Sequence, residues 1–204
     1  MKNTKDFYNK TAVSWADRCY SDETMLPCLK EFMSRLPANP RVLDLCCGTG
    51  HESMRLKQLA ANVVGLDFSE ESIKVAKERN TDIEFHTDDM LNSYSYLGRF
   101  DGIVIIAGLI HLPNEKLNTA FKSMAEVLNK NGLILVVVKD GIGKIDSKSY
   151  TEIDGEKYDR DFYAHTLDEI IANSKDYFEF IKEILPDDNS DWKNYLLKLK
   201  ETKR

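Results

Sequence analysis

The chain has 204 residues, 42% of them hydrophobic, which suits one domain with a sizeable core and would be cramped for two. A formal net charge of −6 supplies no sequence-wide basic field of the kind that draws proteins onto nucleic acid. No apolar run approaches the ~20 residues of a membrane helix, and the polar start MKNTKDFYNK lacks the apolar core of a signal peptide, so the expectation is a soluble cytoplasmic protein with no nucleic-acid and no membrane partner.

Residues 3 to about 37 carry two amphipathic helical stretches, the first with Phe7, Tyr8, Val13 and Trp15, the second with Leu26, Leu29, Phe32, Met33 and Leu36. They are broken near CYSDE and ended by PANP. From Arg41 onward short β-branched runs alternate with helical patterns, the signature of a parallel sheet with crossover helices. RVLDLC reads as a strand, HESMRLKQLA as a helix, NVVGLD as a strand, SEESIKVAKER as a helix, and IEFHT and GIVIIA as strands. Leu117, Ala120, Phe121, Met124, Ala125 and Leu128 then recur at helical spacing. GLILVVVK follows, apolar on both faces as a central strand covered by helices must be.

Beyond Lys139 the chain turns polar, with a hairpin expected around DGEK. Thr166 and Glu169 form a capping box that opens one more helix. YFEFIKEIL and WKNYLLKLK are two strands joined by PDDNSD, too short a link for a helical crossover, so the last strand is expected to run antiparallel. The basic KLKETKR at the end reads as a solvated terminus.

Chemistry concentrates where strands end. In DLCCGTG the glycines let backbone approach a ligand without an intruding Cβ, and the next helix offers unpaired N–H groups. Asp44 sits just before that loop, and Asp67 ends the second strand, placed to accept both hydroxyls of a ribose. A strand-to-helix junction also favours acids as caps, and a glycine-rich turn with a later acid fits dinucleotides as well. Of the four cysteines, Cys46 and Cys47 are adjacent and Cys19 and Cys28 give no ligand spacing; free thiols and no metal are expected.

The segments FHTDDM and FDGIVIIAGLIHLP, following that loop in this order, resemble the class I S-adenosylmethionine-dependent methyltransferases, strongly over roughly residues 40 to 140. Within that group the chain looks like the small stand-alone methyltransferases related to tellurite-resistance proteins. The resemblance implies a Rossmann-like doubly wound α/β fold, a seven-stranded mostly parallel sheet of order 3-2-1-4-5-7-6 with the last strand antiparallel and helices on both faces. It divides one methyltransferase domain into an N-terminal helical cap (1–39), a cofactor-binding core (40–140), a substrate-cover insert (141–165) and a C-terminal helix and strand pair (166–204).

The resemblance also assigns roles. Cys46, Gly48, Thr49 and Gly50 would cradle the methionine part of S-adenosylmethionine, with Asp44 supporting the loop. Asp67 would bind ribose, Phe68 would pack on adenine, and Asp89 would take the adenine amino group beside Met90, with Asp88 exchanging roles if the register slips by one. Ala107 and Gly108 would pass the sulfonium. The family usually has glycine at Cys46, so backbone approach is tighter here. Tyr8 and Trp15 are either core aromatics or part of a helix closing over the cofactor. His111, after the fourth strand, is either a general base or a capping residue, since imidazole has a suitable pKa at neutral pH. Arg160, Tyr163 and His165 lie in the insert that would cover the substrate. His51 is expected to open the helix after the loop and His86 to lie within or beside the third strand.

Methyl transfer from a sulfonium requires in-line positioning and exclusion of water rather than a covalent triad, and none is visible. Absence of [DN]PP[YFW] where this chain reads AGLIHLP argues against amino-methylation of adenine or glutamine. The expected reaction is transfer to a small-molecule O, N or S nucleophile, giving S-adenosylhomocysteine. The alternatives are a cofactor-binding sensor without turnover and an NAD-dependent oxidoreductase; the latter needs G-x-G-x-x-G, where this loop has Gly48, Gly50 and then Ser53.

Overall fold

The computed structural model describes residues 3–145, 151–187 and 189–201, without the side chains of 151 and 152. Parts of the expected insert (146–150) and of the basic terminus (202–204) lie outside the described residues.

Two helices come first, α1 (Thr4–Cys19) and α2 (Leu26–Met33). Alternation follows: β1 (Arg41–Leu45), α3 (His51–Gln58), β2 (Asn62–Asp67), α4 (Glu70–Arg79), β3 (Glu84–Thr87), β4 (Phe100–Ile106), α5 (Asn114–Val127) and β5 (Leu128–Lys139). The insert folds into short strands β6 (Gly143–Lys144), β7 (Thr151–Ile153), β8 (Glu156–Tyr158) and β9 (Tyr163–Ala164). Then come α6 (Leu167–Ser174), β10 (Phe178–Glu183) and β11 (Trp192–Leu199).

Seven strands form one sheet in the order β10-β11-β5-β4-β1-β2-β3. This is the expected order and direction: β1 to β5 pair in parallel, and β11 runs antiparallel to both β5 and β10. Period-two alternation sends Leu43, Leu45, Ile103, Ile105, Ile134 and Val136 to one face, where Leu117, Phe121 and Met124 of α5 cover them. Val42, Val104, Leu135 and Val137 face the other side, against Leu29, Phe32, Leu56, Ile73 and Ala76 of α2, α3 and α4. Burial of both faces explains why these strands read as apolar runs rather than as alternating ones.

The hairpin around DGEK forms between β7 and β8, with Asp154 and Gly155 at φ 52° and 77° as a two-residue turn with positive φ requires. Thr166 and Glu169 make both halves of the capping box on α6. One feature was not legible in advance: β6 pairs with β9, tying the two ends of the insert together.

All parallel strands end at one edge of the sheet, and α1 lies there against α4. Ala12 and Ala16 pack on Val75, and Ser69 Oγ, the N-cap oxygen of α4, donates to Asn9 Oδ1 at 2.7 Å. Arg79 bonds Asp17 as well.

Candidate active site

The loop from β1 to α3 is fixed from below and open above. Asp44 is 2% exposed and accepts a 2.5 Å hydrogen bond from Ser53 Oγ on α3. Burial pushes its carboxyl up to about 7, and the Ser53 bond opposes that shift. Cys46 stands at φ +62°, left-handed backbone that costs a non-glycine residue about 1 kcal/mol or more. Its Sγ lies 3.8 Å from Met90 Sδ. Gly48 has φ +52°, and a Cβ built there would meet nothing within 4 Å, so this stretch of backbone faces free space. Thr49 is buried with Oγ1 unpartnered, its carbonyl accepting from Tyr20 Oη at 2.8 Å; Gly50 caps α3.

Asp67, 6% exposed, closes over the same loop. Its Oδ2 accepts the Gly48 N–H at 2.9 Å and its Oδ1 the Ser69 N–H at 2.9 Å. Burial raises its carboxyl to about 6, against these backbone donors. A carboxylate has about four lone-pair sites, so with backbone donors from Gly48, Phe68 and Ser69 some acceptor capacity stays available to a ligand. The acid pair ending β3 divides its work. Asp88 is occupied, accepting from Tyr96 Oη at 2.9 Å, Asn92 Nδ2 at 2.8 Å and the Asp89 N–H at 2.8 Å. Asp89 accepts the Leu91 N–H on Oδ1, and no bond among the described residues engages its Oδ2.

After β4 comes a second strained loop, with Ala107 at φ +55°. A Cβ on Gly108 would stand 2.8 Å from Cys46 Sγ, so glycine is what lets the two loops touch. Beyond lies His111. Its Nδ1 is 2.7 Å from the Asp161 carbonyl oxygen, which can only accept, so Nδ1 carries the proton. Nε2 is therefore the lone pair, and Tyr8 Oη, 2.9 Å away, donates to it. Burial lowers the His111 pKa and raises that of Tyr8 to about 12.

These groups surround a cavity of about 590 Å³. Cys46, Gly48, Asp67 and Phe68 line one part, Asp88, Asp89, Met90, Ala107 and Gly108 another, and Tyr8, Trp15 and His111 the side under α1. Asp44, Thr49 and Gly50 do not line it and act behind the loop. Arg160, Tyr163 and His165, expected over the substrate, also stand off the cavity wall. Arg160 is stacked 4.0 Å from the centroid of the Phe7 ring and 4.8 Å from that of Phe162. Tyr163 is in β9, and His165 is 1% exposed with Nε2 donating to the Leu109 carbonyl at 3.1 Å. β6 pairs with β9, and the His165 N–H donates to the Lys139 carbonyl at 2.9 Å, so Tyr163 and His165 are tied to the end of β5.

Other wall residues carried no advance signal. Asp161 lines the cavity, and Asp22, His51 and Glu52 close the end near α2. His51 does open α3, as expected, and His86 lies in β3. Burial takes the His51 imidazole down to about 4, so it is neutral, and Glu52 pairs with Arg55 at 3.3 Å. Cys19, Cys28, Cys46 and Cys47 are free thiols, with burial pushing Cys28 up to about 12 and Cys46 and Cys47 well above the ordinary value. None is poised as a nucleophile.

Residues 42–132 match the family model described as a methyltransferase domain. Over 142 residues the chain is 30% identical to the demethylmenaquinone methyltransferase of Thermotoga maritima, covering 64% of this chain and 61% of that protein. It is 37% identical over 87 residues to the magnesium-protoporphyrin O-methyltransferase of Rhodobacter capsulatus, covering 39% and 38%. The matched regions thus span about half the length of these relatives. Among solved structures, the DhpI complex with S-adenosylhomocysteine superposes at TM-score 0.78 with 19% identity, covering 96% of this chain and 95% of that one. That likeness establishes the fold.

Proposed function

We propose, on the premise that this chain belongs to the class I S-adenosylmethionine-dependent methyltransferases, that it transfers a methyl group to a small-molecule nucleophile bound under α1. The observation that carries the reading is one cavity into which Gly48, Asp67, Asp89 and Gly108 converge from the ends of four adjacent parallel strands.

The residues fit the cofactor. The free space over Gly48 admits the methionine part, the remaining acceptor capacity of Asp67 suits the ribose, and Asp89 Oδ2 suits the adenine amino group. Phe68 and Met90 supply apolar contact. Asp89 is preferred to Asp88 because Asp88 is already occupied. S-adenosylmethionine, when bound, supplies an electrophilic methyl on sulfonium. The chain's part is to orient the two reactants, keep water out beneath α1, and hold a proton acceptor, His111, at the acceptor end. A small acceptor is favoured by a cavity of about 590 Å³ on an acidic chain, and both relatives are named for small-molecule substrates. The helical cap serves as cover, joined by Asp161 of the insert.

Thermal unfolding with S-adenosylhomocysteine, S-adenosylmethionine and NAD⁺ side by side tests this. Ligand at ~100 times its dissociation constant adds about 2.7 kcal/mol, with each kcal/mol worth roughly 2–4 °C at this size. A rise with the adenosyl ligands alone, lost in Asp67→Ala, is expected; a larger rise with NAD⁺ would overturn the reading.

A further inference from the structure

We propose that Tyr8 is the catalytic residue facing the acceptor and that His111 acts through it, the pair forming a proton relay that selects acceptors bearing an ionisable O–H or N–H. This rests on the methyltransferase reading and narrows its substrate class.

Direction follows from hydrogen-bond bookkeeping. The Asp161 carbonyl forces the proton onto His111 Nδ1, so Nε2 has one lone pair, and Tyr8 Oη–H fills it. His111 therefore has no free basic nitrogen for a substrate while α1 is in place. Tyr8 Oη, having donated, has two lone pairs, one engaged by the Arg160 guanidinium and one left for an acceptor, and Tyr8 lines the cavity. The surroundings hold the phenol there: Tyr8 packs edge-on against Phe7, Trp15, Phe68 and His111, and the Thr4 hydroxyl accepts the Asp161 N–H at 3.1 Å, pinning α1 to the segment that orients the imidazole.

The step balances. An acceptor X–H gives its proton to Tyr8 Oη as Tyr8 passes its own to His111 Nε2, so the phenol is regenerated and the imidazole becomes imidazolium, still donating to Asp161. The electron pair left on X forms the new bond to methyl, and the carbon–sulfur pair returns to sulfur as a neutral thioether. The charged and titratable groups around the pair are Arg160 and Asp161 from the insert and Asp67 and Cys46 from the core, with Lys116 of α5 in the same cavity wall. Arg160, next to the phenol, stabilises negative charge on Oη and disfavours a resting imidazolium. Burial likewise keeps His111 unprotonated and ready at neutral pH. A nucleophile with no proton to lose has no use for the relay.

The test is nitrogen-15 NMR of the full chain labelled at histidine, simplified by there being four histidines. The expected spectrum has His111 protonated at Nδ1, and Tyr8→Phe shifts the Nε2 signal and raises the imidazole pKa, because the donor that favoured the neutral ring is gone. An Nε2-protonated tautomer, or an Nε2 signal indifferent to Tyr8→Phe, overturns the relay. In the complex with S-adenosylhomocysteine, the acidic phenol 4-nitrophenol is then added as acceptor probe. Expected is a further shift of the His111 Nε2 signal as the probe's O–H engages Tyr8 Oη, lost in Tyr8→Phe while S-adenosylhomocysteine affinity changes by less than about threefold. A saturating probe that leaves the His111 Nε2 signal unmoved overturns the relay, and a Tyr8→Phe variant that loses the adenosyl ligand itself makes Tyr8 a cofactor contact instead. If S-adenosylhomocysteine fails to bind wild type, the methyltransferase reading falls while the tautomer result stands separately.

Discussion

The Gly48 amide donates to Asp67 Oδ2 at 2.9 Å, so the acid ending the second strand holds the loop that follows the first. One carboxylate thereby shapes the loop and, in the proposed function, receives the ribose. Its raised pKa, about 6, gives this a pH signature. Ionised Asp67 offers acceptors to both hydroxyls, and protonated Asp67 offers fewer. S-adenosylhomocysteine affinity measured by calorimetry is expected to rise with pH through about 6 and then level off. Asp67→Asn should flatten the profile and weaken binding by roughly tenfold or more.

Gly108 and Cys46 should behave as a coupled pair. A methyl added at Gly108 meets Cys46 Sγ at 2.8 Å and Cys46 Cβ at 2.9 Å, so Gly108→Ala is expected to cost about 1–3 kcal/mol by overpacking. Cys46→Gly removes both atoms and relaxes a left-handed residue. In the double variant part of the Gly108→Ala loss should return, leaving the contact with Ile105 Cγ1. Additive losses in a double-mutant cycle of melting temperatures would show that the loops do not press on each other.

Asp44 makes stability depend on pH. Its carboxyl titrates near 3.8 in the unfolded chain and at about 7 in the folded one. Between those values the native protein holds a proton that the unfolded chain has released, so stability falls as pH rises through the window. Asp67 adds the same sign up to about 6. Asp44→Asn should therefore melt higher than wild type at about pH 8, by a few degrees, with the gap closing near pH 4. A gap that widens on acidification would mean the carboxylate is stabilised by its surroundings.

His165 is a structural residue by its geometry, bonded to the Leu109 carbonyl in a site 1% exposed. His165→Ala leaves a void and removes one of the two hydrogen bonds to the Leu109 carbonyl, which keeps only the Leu112 N–H, for a loss of about 1–3 kcal/mol. The melting temperature should drop by several degrees while S-adenosylhomocysteine affinity stays within about twofold. A loss of affinity without a loss of stability would return His165 to the pocket.

The sequence by itself determined the sheet and which strand ends would meet at the cavity. Apolar runs such as VLDL and GLILVVVK can be buried only between two helical layers, and the alternation of strands and helices leaves little choice of connection. Because parallel strands must all end at one edge, Gly48, Asp67, Asp89 and Gly108 were bound to meet wherever the strands met. Only the tertiary structure decided what each side chain does there. Asp44 turns to Ser53 on the next helix, Asp88 is taken up by Tyr96, and His165 is drawn into the core, each by a partner that residue spacing does not specify. Tyr8 and His111 stand 103 positions apart, and the Asp161 carbonyl that fixes their proton belongs to the backbone of a third segment. Side-chain type is written in the sequence, whereas the direction of a hydrogen bond depends on which acceptor folding brings within 3 Å.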